Sequence, residues 1–78
     1  MNTNEALAEV FKKAFKSDSI ILNESMDSSD FDGWDSFKHI EILLACEEQF
    51  NIRFNALDID KIKSIGDLIR VIELKINQ

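Results

Sequence analysis

The feature that most restricts the fold is a set of apolar stripes at helical spacing in a chain with no proline and only two glycines, Gly33 and Gly66. Leu7, Val10, Phe11, Ala14 and Phe15 fall at i, i+3, i+4, i+7 and i+8, one apolar side of an amphipathic helix. Asn2 or Thr3 can cap its start and Glu5 suits the first turn. Lys12, Lys13 and Lys16 suit the end, where the helix dipole favours cations. A second helix is predicted from Ser36 to about Phe50, with Asp35 and Ser36 both suited to its start and Gly33 giving the chain room to turn. One of its faces, His39, Ile42, Leu43, Cys46 and Phe50, reads as core. Another, Phe37, Ile40, Glu41, Leu44, Glu47 and Glu48, mixes apolar bulk with acid, which an ordinary solvent face does not need.

Between these helices, residues 17–35 lose the periodicity, and Ile20, Ile21, Leu22, Met26, Phe31 and Trp34 are the expected pins of a long loop. A short helix is expected at Ala56–Ile62 with Asn55 as its cap. A last helix opens on Ser64-Ile65-Gly66-Asp67, in the pattern of a capping box, and continues through Leu68, Ile69, Ile72 and Ile76. The expected fold is all-α: one domain over 1–78, with three main helices, one short helix and a long first loop.

At 78 residues the chain has room for one core and little for an active-site cavity, which favours a binding or carrying module over an enzyme. Its formal charge of −6 argues against nucleic acid or anionic membrane partners and for basic protein surfaces. The same charge is also what keeps a small bundle soluble. One cysteine, Cys46, excludes an internal disulfide and a multi-cysteine metal site; it reads as inert core packing. No run is apolar enough to span a membrane, and Met1–Lys16 lacks the pattern of a signal peptide, so a cytoplasmic protein is expected; for so acidic a bundle the expected state is a monomer.

Gly33-Trp34-Asp35-Ser36-Phe37, then Ile40-Glu41, then Glu47-Glu48-Gln49-Phe50-Asn51-Ile52, resembles the acyl carrier protein family. There an Asp-Ser-Leu tripeptide opens the second helix and an acidic E-E-x-F pattern closes it. The likeness continues through Ile62, Ser64-Ile65-Gly66-Asp67-Leu68 and Ile72, and so covers nearly the whole chain. It implies a four-helix bundle whose Ser36 receives 4'-phosphopantetheine from coenzyme A through a phosphopantetheinyl transferase that uses a divalent metal ion. Asp35 would help that transferase engage. Phe37, Ile40, Glu41, Leu44, Glu47 and Glu48 would form the face met by acyl-loading and acyl-transferring enzymes with basic docking surfaces. The chain itself would catalyse nothing and hold no metal.

Trp34, Phe37 and Lys38 depart from carriers of primary fatty acid synthesis, which lean to a small or aliphatic residue, leucine and often an acid at these places. That points to an accessory pathway, and Lys38 beside the attachment point to altered partner choice. An apolar cleft for a fatty chain would draw on Ile42, Cys46, Phe54, Ile62 and Leu68.

Competing readings are weaker. As a hydrolase, Ser36 and His39 lack a Gly-x-Ser-x-Gly elbow, and Asp35 adjoins the serine instead of orienting the histidine. As a calcium loop aligned on Gly33, Ser28 and His39 fall where the first and last ligands belong, although Asp30 and Asp32 fit. Ser36 as only a helix cap, and the chain as a non-catalytic helical interaction domain lacking the modification, remain as the alternative.

Overall fold

The computed structural model describes residues 2–77; residues 1 and 78, the ends of the expected domain, lie outside the described residues. Four α-helices form it: α1 (Thr3–Phe15), α2 (Ser36–Phe50), α3 (Ala56–Lys61) and α4 (Ile65–Ile76), with a 3-10 turn at Ser28–Asp30 in the first loop. No strand occurs among the described residues, and none of their helices is long and apolar enough to cross a membrane.

The α1 stripe buries as its spacing predicts except at Phe15, which is half-buried against the edge of the core. Leu7, Val10, Phe11 and Ala14 join Ile42, Leu43 and Cys46 of α2 and Ile65, Leu68, Ile69, Val71 and Ile72 of α4 in one core. Helix α1 packs on both α2 and α4. His39 and Phe50, expected on the core face of α2, are only half-buried: His39 stacks on Trp34 of the loop, and Phe50, the last residue of α2, packs against the edge of the core.

The caps explain the helix starts. Asn2 Oδ1 accepts from Glu5 N at 2.8 Å, and Asn55 and Asp58 exchange reciprocal bonds across the start of α3. The short helix stops one residue earlier than expected. Ile62 leaves helical geometry (φ −87°, ψ 99°) so that its side chain can enter the core. At α4, Ser64 Oγ accepts from Asp67 N, but the Asp67 carboxylate turns one residue further back, to Lys63 N at 3.0 Å. The expected capping box is therefore shifted by one residue. Lys75 of α4 meets Asp58 of α3 at 2.6 Å; the Asn55 N–H first, then this ammonium, hold the Asp58 carboxyl below its usual range.

The long first loop is fastened to the start of α4. Ile65 N donates to Met26 O at 2.8 Å and Gly66 N to Glu24 O at 3.0 Å, which satisfies two amides that a helix start leaves open. This contact is why residue 66 is glycine: a Cβ there would stand 3.0 Å from Glu24 O and 3.1 Å from Glu24 Cβ. Gly66→Ala sets an overpacking cost of about 1–3 kcal/mol against a gain in helix propensity of about 1 kcal/mol. The carbonyl cannot retreat without stretching its own hydrogen bond, so a net loss of about 1 kcal/mol is expected. Urea unfolding followed by circular dichroism measures it. A variant as stable as the parent would mean that the loop yields freely.

Candidate functional site

Ser36 is the first residue of α2, and Asp35 is its cap: Asp35 Oδ1 accepts from Lys38 N at 2.8 Å and Asp35 O from His39 N at 2.9 Å. The reading of Ser36 as itself a capping side chain is thereby corrected. The carboxylate one residue earlier does that work, and the Ser36 hydroxyl is exposed with no hydrogen-bond partner among the described residues. Its own N–H and that of Phe37 are likewise without partners there, unlike the closed start of α4. A phosphodiester on Ser36 would find two open amides and the positive end of the helix dipole, so the residues present fit that group.

The loop before Ser36 is held by aromatic packing. Trp34 stands edge-on to Phe11 and Phe31 with both centroids at 5.3 Å, and Phe15 stacks on Phe31 at 5.1 Å. Trp34 is thus the expected anchor of the loop. Gly33, at φ 84°, makes the turn into it, a conformation that favours glycine. The Trp34 indole Nε1 donates to His39 Nδ1 at 3.1 Å, and the two rings stack at 5.9 Å.

That bond decides against a hydrolase. A triad histidine donates from one nitrogen to an acid and accepts from the serine; here Nδ1 is occupied as an acceptor, and no bond joins His39 to Ser36. The loop acids serve local structure: Asp27 Oδ1 accepts from Ser29 N and Asp30 Oδ2 from Asp27 N, closing the 3-10 turn. Among the described residues no group of three or more His, Cys, Asp or Glu is gathered as metal ligands would be. Cys46 is fully buried, and burial first, then the Glu47 charge, push its thiol up to about 12. No nucleophile is available there at neutral pH.

Burial lowers the pKa of His39 from 6.5, and the Trp34 bond requires the unprotonated Nδ1. The folded protein therefore binds this proton less readily than the unfolded chain. The stabilisation is present above pH 6.5 and is lost as pH falls towards the folded pKa. Unfolding free energy should thus decline over this mildly acidic range, and His39→Gln should remove that part of the slope. Urea titrations of both proteins from neutrality downward test this; parallel curves would refute it.

The mixed face of α2 divides in two. Phe37, Ile40 and Leu44 are 79%, 52% and 60% exposed, and Glu41 and Glu48 are exposed beside them. Glu47 is half-buried instead, its Oε2 accepting from Phe54 N at 2.7 Å, so its carboxylate also holds the α2–α3 connection. Lys38 is also engaged within the fold. Its ammonium donates to Ala14 O at 2.7 Å, pairs with Glu41 at 3.2 Å and lies 5.6 Å from the Phe15 ring centre. It fastens α2 to the C-terminal end of α1, where a cation is favoured.

A cleft of about 500 Å³ opens beside Ser36. Trp34, Asp35, His39 and Ile40 line one side, Ile62, Lys63 and Ser64 another, and Ser28 a third. Of the apolar set expected to receive a fatty chain, only Ile62 lines it; Ile42, Cys46 and Leu68 are fully buried in the packed core.

No family model matches the chain. An acyl carrier protein of Wolinella succinogenes is 42% identical to it over 41 residues, 53% of this chain and 54% of that one, so the match spans about half of that relative's length. The solution structure of a holo acyl carrier protein from Geobacter metallireducens is similar at a TM-score of 0.91 and 32% identity, covering 99% of this chain and 88% of that one.

Proposed function

The chain belongs to the acyl carrier protein family, and we propose that it carries acyl cargo as a thioester on a 4'-phosphopantetheine arm attached through Ser36 Oγ. One observation carries this reading: the serine of the Asp35-Ser36-Phe37 tripeptide is exposed, rigidly placed at the start of α2, and relieved of capping by Asp35. A hydroxyl so placed is free to be phosphorylated without cost to the helix. The arm supplies a terminal thiol, which the chain lacks, since its single thiol is buried.

The protein's own part is to present the hydroxyl, to receive the phosphodiester at the open amides of Ser36 and Phe37, and to offer partners a docking strip. Phe37, Ile40 and Leu44 form the apolar centre of that strip and Glu41 and Glu48 its acidic edge. Glu47 contributes charge from a more fixed position. Such a strip fits basic grooves on a phosphopantetheinyl transferase and on acyl-loading and acyl-transferring enzymes, with association that weakens as salt rises. The chain carries its cargo and itself catalyses nothing. Phe37 in place of leucine, at the head of the strip and well exposed, favours an accessory pathway over primary fatty acid synthesis.

Intact-protein mass before and after incubation with coenzyme A, magnesium and a broad-specificity transferase tests this. The expected result is a gain of one phosphopantetheine. A folded protein that neither carries nor acquires the group would instead be a helical interaction domain.

A further inference from the structure

What the arm would carry is left open by family membership, but the cleft beside Ser36 has a definite chemistry. Its apolar walls, Trp34, Ile40 and Ile62, are interrupted by donors: His39, Lys63, Ser28 and Ser64. Because His39 Nδ1 accepts from Trp34 Nε1 at 3.1 Å, the neutral ring carries its proton on Nε2. That N–H has no acceptor among the described residues, and no buried side-chain nitrogen or oxygen among them is left without a partner, so Nε2 is open to water. Ser64 Oγ accepts from Asp67 N and keeps its own O–H to donate. His39 lies one turn along α2 from Ser36, and both line this cleft, so cargo meets His39 where the arm folds back along the helix.

We propose that this cleft retains acyl cargo bearing an oxygen close to its thioester, a hydroxyacyl or oxoacyl unit, with His39 Nε2–H donating to that oxygen. The inference rests on the attachment at Ser36. A saturated chain offers these donors no acceptor beyond the thioester carbonyl that both kinds of cargo share, so it would displace water from one more donor without replacing that hydrogen bond. Nor does it find apolar depth, because Ile42, Cys46 and Leu68 are already packed in the core.

The test loads the protein from butyryl-coenzyme A or 3-hydroxybutyryl-coenzyme A, with loading verified by intact mass. Two quantities are then compared: the nitrogen-15 resonances of the His39 ring, and the rate at which hydroxylamine cleaves the thioester, normalised to the same coenzyme A ester. With the hydroxybutyryl group, the Nε2 resonance should shift relative to the butyryl form. Its cleavage should be about fivefold slower, the equivalent of about 1 kcal/mol for one net hydrogen bond. His39→Leu should abolish the difference. His39→Gln, whose amide can accept from Trp34 and still donate, should keep most of it. If no group loads on Ser36, the attachment reading fails and takes this inference with it. If both groups load but give the same His39 resonances and rates, or if the leucine variant keeps the difference, the cargo inference is overturned and the attachment stands.

Discussion

Ser36→Ala is expected to acquire no phosphopantetheine under conditions that convert the parent completely, and to unfold at nearly the parent's urea concentration. Loss of modification is absolute because the phosphoester forms on the one atom removed. The fold should be indifferent because the hydroxyl is exposed and bonded to nothing among the described residues. Alanine at the first helical position is also a good helix former, so the stability change should stay within about 0.5 kcal/mol. Asp35→Ala supplies the contrast. It removes the acceptor of Lys38 N and should cost about 0.5–2 kcal/mol as a lost cap, with slower rather than abolished loading. If Ser36→Ala proved the more destabilising of the two, the serine would be a structural cap after all. If Ser36→Ala still gained the mass, the attachment would lie elsewhere.

The helices were legible because their information is local. The α1 stripe, the Asn55 and Ser64 caps and the 36–50 span are each written within a turn or two of sequence, and the structure places them accordingly. The candidate site was legible for the same reason, since Asp35, Ser36 and Phe37 are consecutive. What sequence reasoning missed is non-local. Lys38 reads in the sequence only for partner choice, and its bond to Ala14 O, 24 residues away in the chain, has no local signal. Glu47 reads there only as docking charge, and its further bond from Phe54 N has no local signal either. The fastening of the loop at Gly66 uses backbone atoms that carry no sequence signature beyond the glycine itself. The Trp34–His39 bond left a partial signal, an aromatic donor and an imidazole five residues apart around a helix start, but its geometry depends on Phe11 fixing the indole from α1.

Phe11→Ala is for that reason expected to be among the most damaging single changes. Phe11 is fully buried and holds three aromatic neighbours: Phe15 at 6.0 Å, Phe31 at 5.4 Å and Trp34 at 5.3 Å. Truncation of such a ring costs about 3–5 kcal/mol. A chain of 78 residues has a total stability of only about 4–12 kcal/mol. The variant should therefore lose at least about a quarter of its stability, and would be at or near unfolding at room temperature if the parent lies at the low end of that range. Phe11→Leu keeps most of the volume and should remain folded, which allows the chain of contacts to be followed outward. With Trp34 less firmly seated, its indole bond to His39 should weaken, its fluorescence should move to longer wavelength, and the His39 pKa should rise back towards 6.5. Urea unfolding and an NMR titration of His39 measure both ends of that chain. A leucine variant that lost stability but left the His39 titration unchanged would show that the indole is held by Phe31 and the helix start alone. The core of α1 would then have no part in shaping the cleft beside Ser36.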